Sequence, residues 1–258
     1  TGLIGYQSIN EEWVGNMGLH SQNFFGGGRE LSVNYSNDGG DKIKFGISYT
    51  DILFPWLIPT LSYNWTNRET YYTEQNLDLS LTYPYMAMPP SLELGYRSIR
   101  PDSSGLYRRG IPQSDEIKLG LGMAIDRLSV MNKGFAWDIS VQALRITRSR
   151  IQEAGIEESP DEIGANLEHS FKVAYPVGIT VFWLENRIVG RWREVYTQED
   201  LIPLGGATSL RGYNEDFFWG DKVILNRLEV RLPVWREKSH LFIFGDCGLS
   251  LIHISEPT

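Results

Sequence analysis

One cysteine, Cys247, makes an internal disulfide impossible and leaves the redox compartment unreadable from thiol usage. The four histidines, His20, His169, His240 and His253, are scattered, with no H-E-x-x-H pair to hold zinc. No stretch reaches the roughly 18–20 uninterrupted apolar residues of a membrane helix, so a helical membrane protein is excluded. Cations are in deficit, 24 Lys plus Arg against 32 Asp plus Glu, and without a clustered basic stripe this balance argues against a nucleic-acid surface. A lipase or esterase would need a G-x-S-x-G elbow, and there is none. Gly26-Gly27-Gly28 lacks the lysine and following helix of a phosphate loop and reads as a turn. Asn37-Asp38-Gly39-Gly40-Asp41 lacks the spaced ligands and closing glutamate of a calcium loop and reads as a hairpin turn. The acid pairs Glu11-Glu12 and Glu157-Glu158 are expected in loops, where paired acids are usually just solvated. The expectation is a protein that is not an enzyme, with no catalytic residue, metal or cofactor.

What the chain has is aromatic residues, 13 Tyr and 8 Trp, and apolar residues spread along its length. Alternation with period two dominates. In Asp115–Asp126 the residues Ile117, Leu119, Leu121, Met123 and Ile125 share one face, and Glu116, Lys118, Gly120, Gly122, Ala124 and Asp126 the other. Phe135, Trp137, Ile139 and Val141 likewise oppose Asp138, Ser140 and Gln142, and Leu167, Phe171, Val173 and Tyr175 oppose Asn166, Glu168, Ser170 and Lys172. Strands are predicted at 2–9, 13–20, 29–36, 42–52, 58–66, 75–83, 91–99, 115–126, 134–147, 164–175, 178–193, 220–232 and 240–249, with no helix, in one domain. Connections after odd strands are long and polar, ending with 194–219; those after even strands are tight or apolar. That parity means an up-and-down meander with its long loops at one end.

Alternation alone does not say which face points inward, since a soluble barrel reverses the sense of a membrane one. Strand length favours the membrane, as do Trp13, Trp65, Trp183, Trp192, Trp219 and Trp235 near strand ends, where interfacial aromatic girdles belong. The charged Arg227, Glu229 and Arg231 share a face opposite Ile224, Leu228, Val230 and Leu232. That face is expected to be the lumen, because Arg at mid-membrane costs about 2–4 kcal/mol on the lipid side.

Read this far, residues 1–249 resemble the outer-membrane protein assembly barrels of the BamA/TamA type, the bacterial surface antigen family. Gly15-Asn16-Met17-Gly18-Leu19 with Asn23-Phe24-Phe25-Gly26-Gly27-Gly28-Arg29-Glu30-Leu31 is similar to the opening hairpin of that family. Leu210-Arg211-Gly212-Tyr213 is similar to its (V/I)-R-G-(F/Y) motif, with leucine at the usual β-branched position, and Phe244-Gly245-Asp246-Cys247-Gly248 fits F-x-D-x-G. Eleven predicted strands precede the 194–219 loop, which makes it the sixth outside loop, where the family carries the arginine.

The resemblance implies an all-β, antiparallel up-and-down transmembrane β-barrel with about 13 of 16 strands present, lacking the last three strands and the upstream POTRA domains. Residues 250–258 are expected to be a non-native tail, and any export signal to lie upstream. It implies a Gram-negative outer-membrane location, with lipid, unfolded outer-membrane proteins and periplasmic assembly factors as partners. In the expected lock the loop folds inward and Arg211 pairs with Asp246 and Glu229, with Phe244 and Gly248 completing the partner strand. The expected lateral seam is the first strand, Gly2, Leu3, Ile4, Gly5 and Tyr6, whose glycines weaken its pairing. Two other readings stay open: a two-partner-type secretion or translocation pore, which shares the arginine motif, and a soluble β-barrel binding a small ligand.

Overall fold

A computed structural model describes residues 2–7, 12–37, 42–52, 54, 56–68, 71–102, 111–128, 133–152, 155–158, 161–206, 209–214, 217–235 and 239–251. At 2–7, 12–14, 150–152, 155–158, 198, 233, 235, 239 and 240 the description covers the backbone alone. The predicted turn residues 38–41, His253 and the tail from 252 onward lie outside the described residues.

Among the described residues sixteen strands are formed, and the chain divides into two compact units: Thr1–Leu121 with Ala143–Ile163, and Gly122–Gln142 with Gly164–Thr258. In the first unit β1 (Gly2–Gln7), β2 (Glu12–Gln22), β3 (Glu30–Asn37), β4 (Lys42–Thr50), β5 (Ile58–Arg68), β6 (Tyr72–Thr82) and β7 (Pro90–Pro101) form a meander in which each neighbouring pair from β1–β2 to β6–β7 is antiparallel. β8 (Gln113–Asp126) and β9 (Gly134–Gln152) contribute to both units, and a short β10 (Gly155–Glu158) folds back on the end of β9. In the second unit the order is β11 (Glu162–Val177), β12 (Thr180–Trp192), β15 (Lys222–Trp235) and β16 (Ser239–Leu251), again antiparallel. A separate pair, β13 (Ile202–Leu204) and β14 (Phe218–Gly220), stands inside the long loop. All thirteen predicted strands are present. Periodicity missed β10, β13 and β14, because three or four residues are too few to display it.

The turns follow their residue types. Gly26, Gly27 and Gly28 all take left-handed φ, 81°, 74° and 76°, which glycine alone adopts without steric cost, and the Gly28 amide donates to Asn23 Oδ1 at 2.9 Å. The triple glycine is a turn and not an anion cradle. Val177 and Thr180 close a two-residue hairpin through Gly178, at φ 61°.

Exposure of the two sheet faces decides which medium each meets. On β8, Ile117, Leu119 and Leu121 are 59%, 55% and 69% exposed, whereas Glu116 on the opposite face is 1% exposed. A protein surrounded by water does the reverse. Register extends the apolar face across strands: Met17, Tyr35, Phe45 and Trp65 form one row over β2 to β5. The opposite face carries Gly18, Asn34, Gly46, Asn64, Asn76 and Arg97 in one row over β2 to β7. Leu144, Ile146, Val223 and Leu225 depart from this alternation, being buried on the polar-face parity of β9 and β15. For Val223 and Leu225 the reason is the loop packed over them.

Candidate functional site

The long loop is fastened to its neighbouring strands at its base and its tip, and its two legs are joined to each other at a waist. At the base, Arg191 Nη1 donates to the Asp200 carbonyl at 2.9 Å and Tyr196 donates to the Arg191 carbonyl at 2.8 Å. Asp200 accepts from the amide and hydroxyl of Thr197, at 2.8 and 2.7 Å, closing a 3-10 turn at Gln198–Asp200. The buried Arg193 lies 3.8 Å from the buried Asp200. Above the base, Ile202 and Leu204 of β13 join Val189 of β12 and Val223 of β15 in a small buried apolar cluster. This cluster explains the apolar patch on an otherwise polar face.

At the waist, Gly205 and Gly206 adopt φ 128° and 84°, and the Gly206 amide donates to the Tyr213 carbonyl at 3.0 Å. A Cβ at Gly205 would run into the Asn214 carbonyl, so the two legs of the loop meet only because this residue has no side chain. Ser209 Oγ bridges the Gly205 amide and carbonyl from within the tip.

The tip presents Arg211 to β15 and β16. Its Nε and Nη2 donate to the two oxygens of Asp246, at 2.8 and 2.6 Å, and its backbone amide donates to Oδ2 at 3.0 Å. Nη1 donates to Glu229 Oε1, and the guanidinium lies over the Phe244 ring, 3.9 Å from the centroid. This bidentate fork with a third acceptor and an aromatic floor uses the geometry that distinguishes arginine from lysine. The Asp246 hydrogen bonds hold the guanidinium pKa above its ordinary value, so Arg211 stays charged throughout the physiological range. Gly212 follows at φ 93°, turning the chain away directly after the arginine.

Period two explains the spacing of the partner strand. Phe244, Asp246 and Gly248 point to one face of β16, where they provide in turn a ring for the guanidinium, a carboxylate for its fork, and room for Leu210. A Cβ at Gly248 would stand 3.6 Å from Leu210 Cδ1, with Leu225 also close by. Tyr213 packs at the loop surface against Phe217 and Phe218, at ring separations of 5.9 and 5.0 Å.

The structure therefore brings Leu210, Arg211, Glu229, Phe244, Asp246 and Gly248 together. Gly2, Leu3, Ile4, Gly5 and Tyr6 lie elsewhere, in the first unit, where they pair in register with Met17, Asn16, Gly15, Val14 and Trp13 of β2. Sequence reasoning missed three participants. Arg227 donates through Nε and Nη2 to the Ser209 carbonyl, at 3.0 and 2.6 Å, and through Nη1 to Glu185 at 3.2 Å. Arg231 donates to Glu229 at 2.7 Å and stacks on Trp183, 3.8 Å from its centroid. Trp183 is thus no girdle residue: it shares the charged face with Glu185, a parity visible in the sequence. Trp219, in β14, belongs to the loop and not to the end of a wall strand.

Two sheet faces of opposite polarity, built from meandering antiparallel strands with the apolar side outward, define a transmembrane β-barrel of the outer-membrane type. Solved structures agree. CdiB from Acinetobacter baumannii superposes with a TM-score of 0.66 at 16% identity, covering 95% of this chain and 48% of that one. BamA from Haemophilus ducreyi lacking POTRA domains 1–3 gives 0.66 at 17% identity, covering 97% and 56%. The chain spans about half the length of these structures. No protein-family model matches the chain, and no curated protein matches it.

Proposed function

We propose that this barrel assembles or inserts other outer-membrane proteins through a lateral seam at β1, without covalent chemistry. The observation that carries the reading is the noncovalent fastening of a long loop to β15 and β16 through Arg211, the residue supplied by the motif that resembles the assembly barrels. Such a barrel acts by presenting backbone groups. The first strand has β2 as its hydrogen-bonded neighbour among the described residues, and Gly2 and Gly5 contribute no side-chain packing to that pair. An opened edge in lipid leaves N–H and C=O groups unsatisfied, and an incoming strand satisfies them by β-augmentation with little dependence on sequence. Lowering the barrier to insertion in this way needs no catalytic side chain, metal or cofactor.

The test uses the complete protein in liposomes with an unfolded outer-membrane barrel as substrate. A cysteine replacing Ile4, disulfide-bonded to the last strand, should stop insertion while the barrel stays folded, and reduction should restore it. Unchanged insertion by the locked protein would remove β1 as the gate. The second reading is a secretion pore, favoured by the likeness to CdiB. It predicts passage of a soluble polypeptide across the membrane, which the same lock would leave intact.

A further inference from the structure

The apolar face of the second unit carries a crevice. Leu167, Gly190 and Lys222 fall in one row across β11, β12 and β15, above a second row of Ile188, Ile224 and Leu249. Gly190 interrupts the first row and lets the Trp192 indole lie over it, beside a cavity of about 220 Å³ lined by Leu167, Ile188, Ile224 and Trp192. The Trp192 indole forms its wall: a Cβ on Gly190 would come within 2.5 Å of the ring. Lys222 stands at the rim, its ammonium 5.7 Å from the indole centroid. Trp192 is the last residue of β12 and Lys222 the first of β15, so the crevice opens at the loop end of the wall.

We propose that the crevice binds one acyl chain of a phosphate-bearing membrane lipid, whose phosphate accepts a hydrogen bond from Lys222. The apolar lining faces the membrane, so a chain methylene is the group available to fill it. The ammonium at the mouth has three N–H donors, one of which engages Asp221 Oδ2 at 2.8 Å. Asp221 is fully buried whereas the Lys222 side chain is about a third exposed, so the cation is the charge presented to a headgroup. The Asp221 carboxylate offsets part of that charge, which makes the expected selectivity modest.

Trp192 reports on the site directly. Protein in nanodiscs would be supplied with brominated phosphatidylglycerol or brominated phosphatidylcholine, and the Trp192 signal taken as the difference between the native protein and Trp192→Phe. Quenching of that signal should be stronger with the anionic lipid by about threefold in apparent affinity, as expected for one interfacial lysine partly offset by its neighbour. Lys222→Gln should abolish the preference while quenching itself persists, and Ile188→Phe, which narrows the crevice, should weaken quenching by both lipids. A heat-resistant folded band on gels would verify that each variant has closed its sheet. Equal quenching by the two lipids in the native protein would mean bulk lipid only and overturn the proposal. So would a preference surviving in Lys222→Gln, or a Trp192 signal that neither lipid quenches.

Discussion

An arginine set between two carboxylates is found in each of the two units. In the first unit Arg97 donates to Glu74 at 2.8 Å and to Glu116 at 2.9 Å, and all three side chains leave wall strands, β7, β6 and β8. In the second, Arg211 reaches Asp246 and Glu229 from a loop. The chemistry is the same but the attachment is not. Arg97 is delivered to its partners by the backbone ladder, so its pairing persists for as long as the strands do. Arg211 is delivered by a segment whose other ties include a short apolar cluster, the Arg193–Asp200 pair at its base and several hydrogen bonds, so its pairing decides where the tip of that segment lies. A buried ion pair within a wall is an element of folding; the same pair between a wall and a loop is a latch.

Arg97→Ala should have the largest effect on stability. It removes the Arg97 cation from Glu74 and from the 2% exposed Glu116 side chain, and breaking such a pair costs about 3–5 kcal/mol. Urea unfolding in micelles should show the loss, and an unchanged midpoint would end the distinction between wall pair and latch. Arg211→Ala should cost the barrel less than half as much, since the strand ladder does not depend on it, yet the 194–219 loop should become open to limited proteolysis and insertion activity should fall. Arg211→Lys should restore little, because a point charge cannot reproduce the bidentate fork. Equal unfolding losses at 97 and 211 would show that both pairs belong to the wall.

A double-mutant cycle of Arg211→Ala with Asp246→Asn sharpens the comparison. With loop protection from proteolysis as the readout, the coupling should be about 1–3 kcal/mol, and additivity would deny the pair its role. Phe244→Leu keeps the carboxylates and removes the ring beneath the guanidinium; the expected loss in loop protection is about 1 kcal/mol. The smallest effect belongs to a surface acid. Hydrogen bonds from Thr147 and then Arg145 hold the Asp161 carboxyl below its ordinary pKa. Its contribution is therefore present at neutral pH and lost as the pH falls through that lowered value. Asp161→Asn should leave the neutral-pH melting temperature nearly unchanged and slightly flatten its decline in acid.

Most of this fold was legible because a strand with one face in lipid and one in a polar interior must alternate, and β8 or β11 has no other way to satisfy both. The contacts of the loop tip were legible for a related reason: Glu229 and Asp246 are charges on the polar strand face, and Arg211 is their counterpart on a glycine-flanked loop. Arg227 escaped because its partner is the Ser209 carbonyl, and a backbone oxygen leaves no mark in a sequence. The base anchor escaped for the opposite reason. Arg191, Arg193 and Asp200 are common residues at ordinary loop spacings, and only the turn at Thr197 converts them into partners. Trp183 was assigned to the girdle by its distance from a strand end, when its parity with Glu185 was the better guide.

The waist at Gly205 and Gly206 has a consequence for the entropy of fastening. By joining the two legs of the loop near Tyr213 and Asn214, it replaces one long flexible ring with a shorter one that carries Leu210 and Arg211. Closure entropy scales as about (3/2)RT ln n, so shortening a ring roughly threefold saves about 1 kcal/mol each time the tip settles onto the wall. A tip joined in this way has fewer internal degrees of freedom to freeze. Substituting alanine at Gly205 would remove no charged group of the latch, yet the longer ring would have to close on every return, so re-engagement should slow and the fastening weaken by about the same 1 kcal/mol.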